Sequence, residues 1–212
     1  MIIITGLGRC GTSVLAQFVS RMGVQLGDTH WDSDINAGME DSSIVNINRT
    51  IYYQWQLKNS INDLIIDKRL KKRISDIKLQ CMKDPRFTWP GVLQVWWRVR
   101  QDLKFIVLER NLEDIVASRK FMHESTKKLS TDCTDTRGYS INRLEDDKTI
   151  FDSSILLYDV PCTKLKFPDF LDDIDDVLKK FRELGLELNR EKSLITWENL
   201  VDKKLVGKFK TT

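Results

Sequence analysis

The sequence predicts an α/β fold, a three-layer sandwich in which a central, mainly parallel sheet is flanked by helices on both faces. Three observations predict it. Short apolar runs alternate along the chain with segments of helical period, which is the order expected of strands joined by covering helices. The first run, IIIT at 2–5, passes through a glycine-rich turn, GLGRCGTS at 6–13, directly into a helix-period segment, VLAQFVSRM. A second apolar run, FIVLE, passes just as abruptly into the helical stretch NLEDIVASR. At 212 residues the chain has length for one full core, so one domain over 1–212 is expected.

Taken in order, the strands are expected at 2–5, 78–82, 104–109 and 162–167, with four as a minimum. The first helix follows the glycine turn and carries Val14, Leu15, Phe18, Val19 and Met22 on one face. Further helices are expected at 41–57, 60–77, 90–101 and 112–121, with Asp41 and Ser60 as caps and Pro90 in a first turn. The pattern is clearest at 170–184, where Phe170, Leu171, Ile174, Val177, Leu178, Phe181 and Leu184 point inward. The polar stretch 122–140 lacks periodicity and reads as a long loop, a lid over a site or a disordered segment. No internal repeat is present.

Charge and composition narrow the function. Against 31 acidic residues stand 34 basic ones, a net charge of +3 that gives no reason to expect a nucleic-acid partner. The basic run DKRLKKR at 67–73 reads as the solvated face of a helix. No apolar run approaches the ~20 residues needed to span a bilayer. The start MIIITGLGRCG lacks the basic residue and the long apolar stretch of an export signal, so a cytoplasmic protein is expected. Cys10, Cys81, Cys133 and Cys162 form no C-x-x-C pair, which leaves neither a zinc site nor a disulfide framework indicated. Cys81 and Cys162 read as buried thiols.

The turn carries the chemistry. A helix start behind a glycine turn directs unpaired backbone N–H groups and the positive end of a helix dipole at one point, where an anion is stabilised. Gly6, Gly8 and Gly11 permit close backbone approach, and Thr12 and Ser13 add hydroxyls. The spacing G-x-x-x-x-G is that of an ATP-binding P-loop, but Thr12 stands where lysine would reach the terminal phosphates. Arg9 is the cation inside the loop. The alternative is that the glycine turn serves only a tight strand-to-helix connection and binds nothing.

Together GLGRCGTS, FIVLERNLEDIVASR, MKDPRFTWPGVLQVW and GVQLGDTHWDSDINAGMEDSSIVNINR resemble the sulfotransferases that use 3′-phosphoadenosine 5′-phosphosulfate, and most closely their compact bacterial-type members. The resemblance covers residues 1 to about 120, more loosely LKFPDFL and the C-terminal helix, and it implies the P-loop-like sulfotransferase fold. It also implies that Gly8, Arg9, Cys10, Gly11, Thr12 and Ser13 hold the 5′-phosphosulfate. Arg110, with Ser118 eight residues later, would then grip the 3′-phosphate. Arginine's planar fork suits a phosphate that is recognised and not broken; the structural alternative is a salt bridge from Arg110 to Glu109 or Glu113.

Sulfuryl transfer needs in-line attack, neutralisation of charge on the leaving phosphate, and a base for the acceptor proton, with no metal required. Arg9 is expected to stabilise the leaving group and Lys83 to supply a second positive charge, unless Lys83 forms a structural pair with Asp84. The resemblance places a base at Glu40; His123 and then His30 follow as alternatives. An acceptor pocket is expected from 30–60 and 120–150, for a hydroxyl- or amine-bearing small molecule or saccharide. Trp31, Trp55 and Trp89 are placed to line it, whereas Trp96 and Trp97 read as core. Two other functions fit the loop: a small-molecule kinase using ATP and magnesium with Asp84 on the metal, and a nucleotide-binding protein without catalysis.

Overall fold

The computed structural model describes residues 1–32, 37–58, 68–126 and 140–201, and within them the backbone alone at 30–32, 37 and 122–126. Four strands form one sheet in the order β4-β1-β5-β6: β1 (Ile2–Gly6), β4 (Cys81–Lys83), β5 (Lys104–Glu109) and β6 (Cys162–Lys166). All their pairings are parallel, with Ile4 opposite both Lys83 and Ile106, and Gly6 opposite Leu108. Side chains alternate between the faces, as the period-2 geometry of a strand requires. Ile2, Ile4, Ile106 and Leu108 enter one buried cluster, while Ile3, Phe105 and Val107 enter another on the opposite face. Because both faces are covered, β1 reads in sequence as an unbroken apolar run.

The first face is covered by α1 (Thr12–Arg21), α7 (Ile174–Glu183) and α8 (Arg190–Leu200), whose Phe18, Phe181 and Trp197 share the first cluster. On the second face lie α2 (Ser42–Lys58), α3 (Lys68–Ser75), α4 (Val92–Val99) and α6 (Ile141–Leu157), contributing Ile47, Ile74, Trp96 and Phe151. The helix α5 (Leu112–Thr126) follows β5 and adds Ile115 and Val116 to the first cluster. This is the expected three-layer α/β sandwich. From the central strands, the chain leaves β1 toward β4 on one side and β5 toward β6 on the other. The sheet therefore has a switch point, a crevice at the carboxyl ends of β1 and β5, where open α/β sheets bind ligands.

Several elements differ from the sequence expectation. The second strand is Cys81–Lys83 and not 78–82, because its ladder engages only Ile2 to Ile4 of β1. The helix expected over 170–184 begins at Ile174, where the Asp173 carboxylate accepts a hydrogen bond from Asp176 N–H; Asp169–Asp172 form a separate 3-10 turn. Pro90 lies outside α4, whose cap is Gly91 at φ +85. The α5 helix continues to Thr126, so residues 122–126 of the expected loop are helical; 127–139 lie outside the described residues, as does Ser60. Of the helix expected over 60–77, Lys68–Ser75 is present, with Leu70 and Ile74 buried one turn apart and the basic side chains exposed. Cys81 is buried, whereas Cys162 is only half-buried.

A helix and a two-stranded ribbon were not foreseen. The helix α6 buries only Leu144, Phe151 and Ser154 over 17 residues, too few to impose a readable period. An antiparallel ribbon pairs β2 (Thr29–Asp32) with β3 (Ala37–Asp41), neither of which alternates in sequence. Asp41 fastens this ribbon to α2 as the expected cap. Its Oδ1 accepts hydrogen bonds from the Ser43 N–H and hydroxyl and from Ile44 N–H, and its Oδ2 accepts from Asp28 N–H at 2.8 Å. Burial opposes the charge on Asp41, but the bonds from Ser43, Asp28 and Ile44 together outweigh it and hold the carboxyl below its ordinary value.

Replacing Asp41 by Ala removes a helix cap and an anchor of the ribbon, and is expected to cost about 1–3 kcal/mol in a urea melt. The carboxyl is depressed in the folded state, so this contribution is complete above the unfolded Asp value near ~3.9 and fades as pH falls below it. A stability difference between wild type and Asp41→Ala that persists unchanged at pH 2 would contradict this role.

Candidate active site

At the switch point, the chain turns from Gly6 through Leu7–Gly11 into α1. Gly8 and Gly11 are left-handed at φ +79 and +83, and so is Arg9 at φ +59, a conformation that is strained for a residue with a side chain. Gly11 is required for packing: a Cβ there would lie 2.6 Å from the Phe167 ring. A Cβ on Gly6 would meet the Leu108 carbonyl oxygen at 2.5 Å. Cys10 fills the space beneath the turn, fully buried, its thiol pushed up to about 11 by burial and bonded to the Gly8 carbonyl at 3.4 Å. It is a packing thiol and stays protonated.

Three guanidinium groups hold this turn. Arg110, at the end of β5, donates from Nη1 to the Arg9 carbonyl at 2.9 Å, and Arg119 donates from Nη2 to the Leu7 carbonyl. Arg9 in turn donates from Nε to Ser118 Oγ at 3.1 Å. A peptide is planar, and its carbonyl and the following N–H point in opposite directions. Clamping the carbonyls of Leu7 and Arg9 therefore turns the N–H groups of Gly8 and Cys10 away from the guanidinium side. Burial, and then the charge of Arg110, lower the pKa of Arg9. Three positive charges are concentrated here, which is the electrostatic condition for holding an anion.

Arg110 lies against an aromatic ring, its Cζ 4.8 Å from the centre of Phe167, with Asp114 at 3.7 Å from its Nε. The salt bridge weighed for it in the sequence, to Glu109 or Glu113, is not the one formed. Glu109 instead accepts from Lys164 at 2.8 Å. Ser118 reaches the turn because α5 folds back over it, so both members of the expected pair meet the glycine loop. Arg119 was missed by sequence reasoning; its only signal is that it follows Ser118 in the middle of the same helix.

On the other flank, the ribbon strand β3 approaches β4. Lys83, 3% exposed, donates from Nζ to the Gly38 carbonyl at 2.8 Å and to Glu40 Oε1. The same Gly38 carbonyl accepts from the Ser13 hydroxyl at 3.4 Å, which ties the ribbon to the first turn of α1. Met39, between Gly38 and Glu40, is another non-glycine residue in the left-handed region, at φ +68. Burial lowers the pKa of Lys83, and the Glu40 carboxylate works against that shift. Thus Lys83 pairs with Glu40 and not with Asp84. Asp84 is fully buried, with Oδ1 bonded to the Arg86 N–H and guanidinium and Oδ2 to the Asn48 amide, so it serves as a structural cap and is a poor metal ligand. Thr12 is buried in the first turn. His30 lies in β2 and His123 in α5, not in a loop; the side chains of both, and of Trp31, fall outside the described residues. Trp96 is fully buried as expected, Trp97 packs partly exposed against the same cluster, and Trp55 and Trp89 are half-buried.

No protein-family model and no curated protein matches the chain. Solved structures do. Sulfotransferase STF1 from Mycobacterium tuberculosis H37Rv is similar over 98% of this chain and 75% of its own, with a TM-score of 0.54 at 12% identity. The sulfotransferase domain from the curacin biosynthetic pathway is similar over 91% and 76%, with a TM-score of 0.49 at 15% identity. The likeness to the first shows that the chain has the sulfotransferase fold. No described helix is long and apolar enough to cross a membrane.

Because Lys83 is buried while the Glu40 side chain is 22% exposed, the two halves of the pair are not equivalent. Glu40→Gln strands a buried ammonium and is expected to cost about 2–4 kcal/mol, whereas Lys83→Met leaves a carboxylate that water can reach and costs less. Urea denaturation of both variants checks the order. A Lys83→Met variant less stable than Glu40→Gln would contradict the burial asymmetry.

Proposed function

We propose that the protein is a sulfotransferase that moves a sulfuryl group from 3′-phosphoadenosine 5′-phosphosulfate to a hydroxyl or amine of a small-molecule or saccharide acceptor. The observation that carries this reading is the direct linkage of the glycine turn to Arg110 and Ser118. Two anion-holding groups, one on each central strand's exit, are joined by hydrogen bonds through Arg9. A nucleotide with phosphates at both ends matches such a pair; one with phosphates at a single end leaves Arg110 and Ser118 only their structural bonds to Arg9. The sulfotransferase fold supports the same reading, as does the burial of Thr12 where an ATP-binding loop needs lysine.

In this reading the N–H groups of Arg9 to Ser13, together with Gly8 and the Ser13 hydroxyl, hold the 5′-phosphosulfate, and Arg110 and Ser118 hold the 3′-phosphate. Arg119 keeps the turn in register. As the acceptor oxygen attacks sulfur and the bond to the bridging oxygen breaks, negative charge passes to the 5′-phosphate, where the Arg9 guanidinium stabilises it. Lys83 neutralises the transferring group. Its departure from Glu40 toward that group frees the carboxylate to accept the acceptor's proton, which makes Glu40 the base; His123 and His30 are the alternatives. We assign the chain to one domain and to the cytoplasm on the same reading.

Thermal shift with a nucleotide panel tests the donor. 3′-Phosphoadenosine 5′-phosphate at about 100 times its Kd should stabilise the protein by about 2.7 kcal/mol without magnesium; stabilisation by ATP only when magnesium is added would overturn the reading in favour of a kinase. Arg110→Ala should shrink the affinity gap between 3′-phosphoadenosine 5′-phosphate and AMP, and an unaltered gap removes Arg110 from 3′-phosphate recognition. Arg9→Ala should lower kcat by about 10²–10³ with a smaller loss of nucleotide affinity. Near-normal turnover in that variant takes Arg9 out of the chemistry.

A further inference from the structure

A cleft of about 520 Å³ opens between α2, the segment just before α4 and the first three turns of α6, and the chemistry of its lining is unlike that of the switch-point crevice. Trp55 forms one wall. Its indole lies partly exposed and stacked on Tyr52, ring centres 6.0 Å apart and planes 23° from parallel. Gly91, at φ +85, lets the indole lie close, since a Cβ there would meet Trp55 at 3.0 Å. The Tyr52 hydroxyl accepts from Arg143 Nη2 at 3.0 Å and from Gln56 Nε2 at 2.9 Å, so the aromatic wall and the α6 wall are braced against each other. The opposite wall is polar: Asn142, Arg143, Asp146, Asp147 and Thr149.

The segment that follows β4 links the cleft to the candidate active site along the chain. Pro90 at its edge follows Lys83 by seven residues. Between them Arg86 bonds to Asp84 and places its Cζ 5.5 Å from the centre of the Trp89 ring, which itself packs on Tyr52 at 5.0 Å. The chain leaving β4 thus runs unbroken from the Lys83–Glu40 pair to the aromatic wall.

We propose that this cleft binds a neutral or amine-bearing saccharide and is the acceptor site, an inference that rests on the sulfotransferase reading above. A sugar ring has an apolar face that stacks on an indole and a rim of hydroxyls that need short polar partners; Trp55 and the α6 wall supply both. The size is that of a ligand site, which ranges over about 300–1,000 Å³. Apolar acceptors such as phenols or sterols call for enclosure by apolar side chains, and here only Trp55, Pro90 and Ile150 are apolar. Two carboxylates against one guanidinium disfavour a polyanionic chain.

Saturation-transfer NMR and calorimetric titration of the full-length protein, without donor, test the proposal with four probes: chitobiose, glucosamine, a sulfated heparin disaccharide and 4-nitrophenol. Chitobiose or glucosamine should bind more tightly than the other two. Trp55→Ala should weaken that binding about tenfold or more. Thr149→Trp, at an exposed position, should fill the cleft and abolish binding without removing a core contact. Both variants should keep the nucleotide-induced thermal shift of the wild type. Absence of saccharide binding, binding indifferent to Thr149→Trp, or tighter binding of 4-nitrophenol or the heparin disaccharide would overturn the assignment. A protein that binds chitobiose but ignores 3′-phosphoadenosine 5′-phosphate keeps the saccharide cleft and rejects the donor. One that is stabilised by the nucleotide but sulfates only 4-nitrophenol keeps the donor and rejects the cleft.

Discussion

The hydrogen bonds from Arg110 and Arg119 to the carbonyls of Arg9 and Leu7 are the constraint on which the site depends. Without them the peptide planes at Leu7–Gly8 and Arg9–Cys10 would lose their fixing bonds, and the strained Arg9 backbone would lose its main support. The clamps come from residues on the far side of the sheet's switch point, so the shape of the turn is set only when β1 and β5 are side by side. Local structure here is a product of tertiary packing.

That dependence extends outward. Arg110 is itself positioned by Phe167, and the same ring closes on Gly11, so the residue that follows β6 supports both the clamp and the turn it holds. On the other side Gly38 gives one carbonyl to Lys83 and Ser13, which links the ribbon, β4 and α1 through a single oxygen. Like charges at Arg9 and Arg110 repel, and burial adds to the cost. A fold that accumulates such cost at one point has a use for an anion there.

The parts of this arrangement that were legible in the sequence are those written in contiguous residues. GLGRCGTS between an apolar run and a helical one specified the strand, turn and helix, and FIVLER delivered Arg110 to the carboxyl end of a strand. Asp41 was readable as a cap because Asp at a helix start has one dominant use. What could not be read depends on contacts between distant segments. The Lys83–Glu40 pair spans 43 residues and needs a ribbon whose strands show no alternation. Arg119 clamps Leu7 across 112 residues. The α6 helix shows little amphipathicity because it buries only Leu144, Phe151 and Ser154 while Leu156 and Leu157 stand exposed.

The crystal structure of the complex with 3′-phosphoadenosine 5′-phosphate is the most direct measurement of whether the turn and the β5 exit grip one molecule. The 5′-phosphate should lie on the N–H groups of Arg9 to Ser13, with the 3′-phosphate in hydrogen-bond reach of Arg110 and Ser118. A nucleotide seated away from the turn, or one whose 3′-phosphate points into solvent, would contradict it.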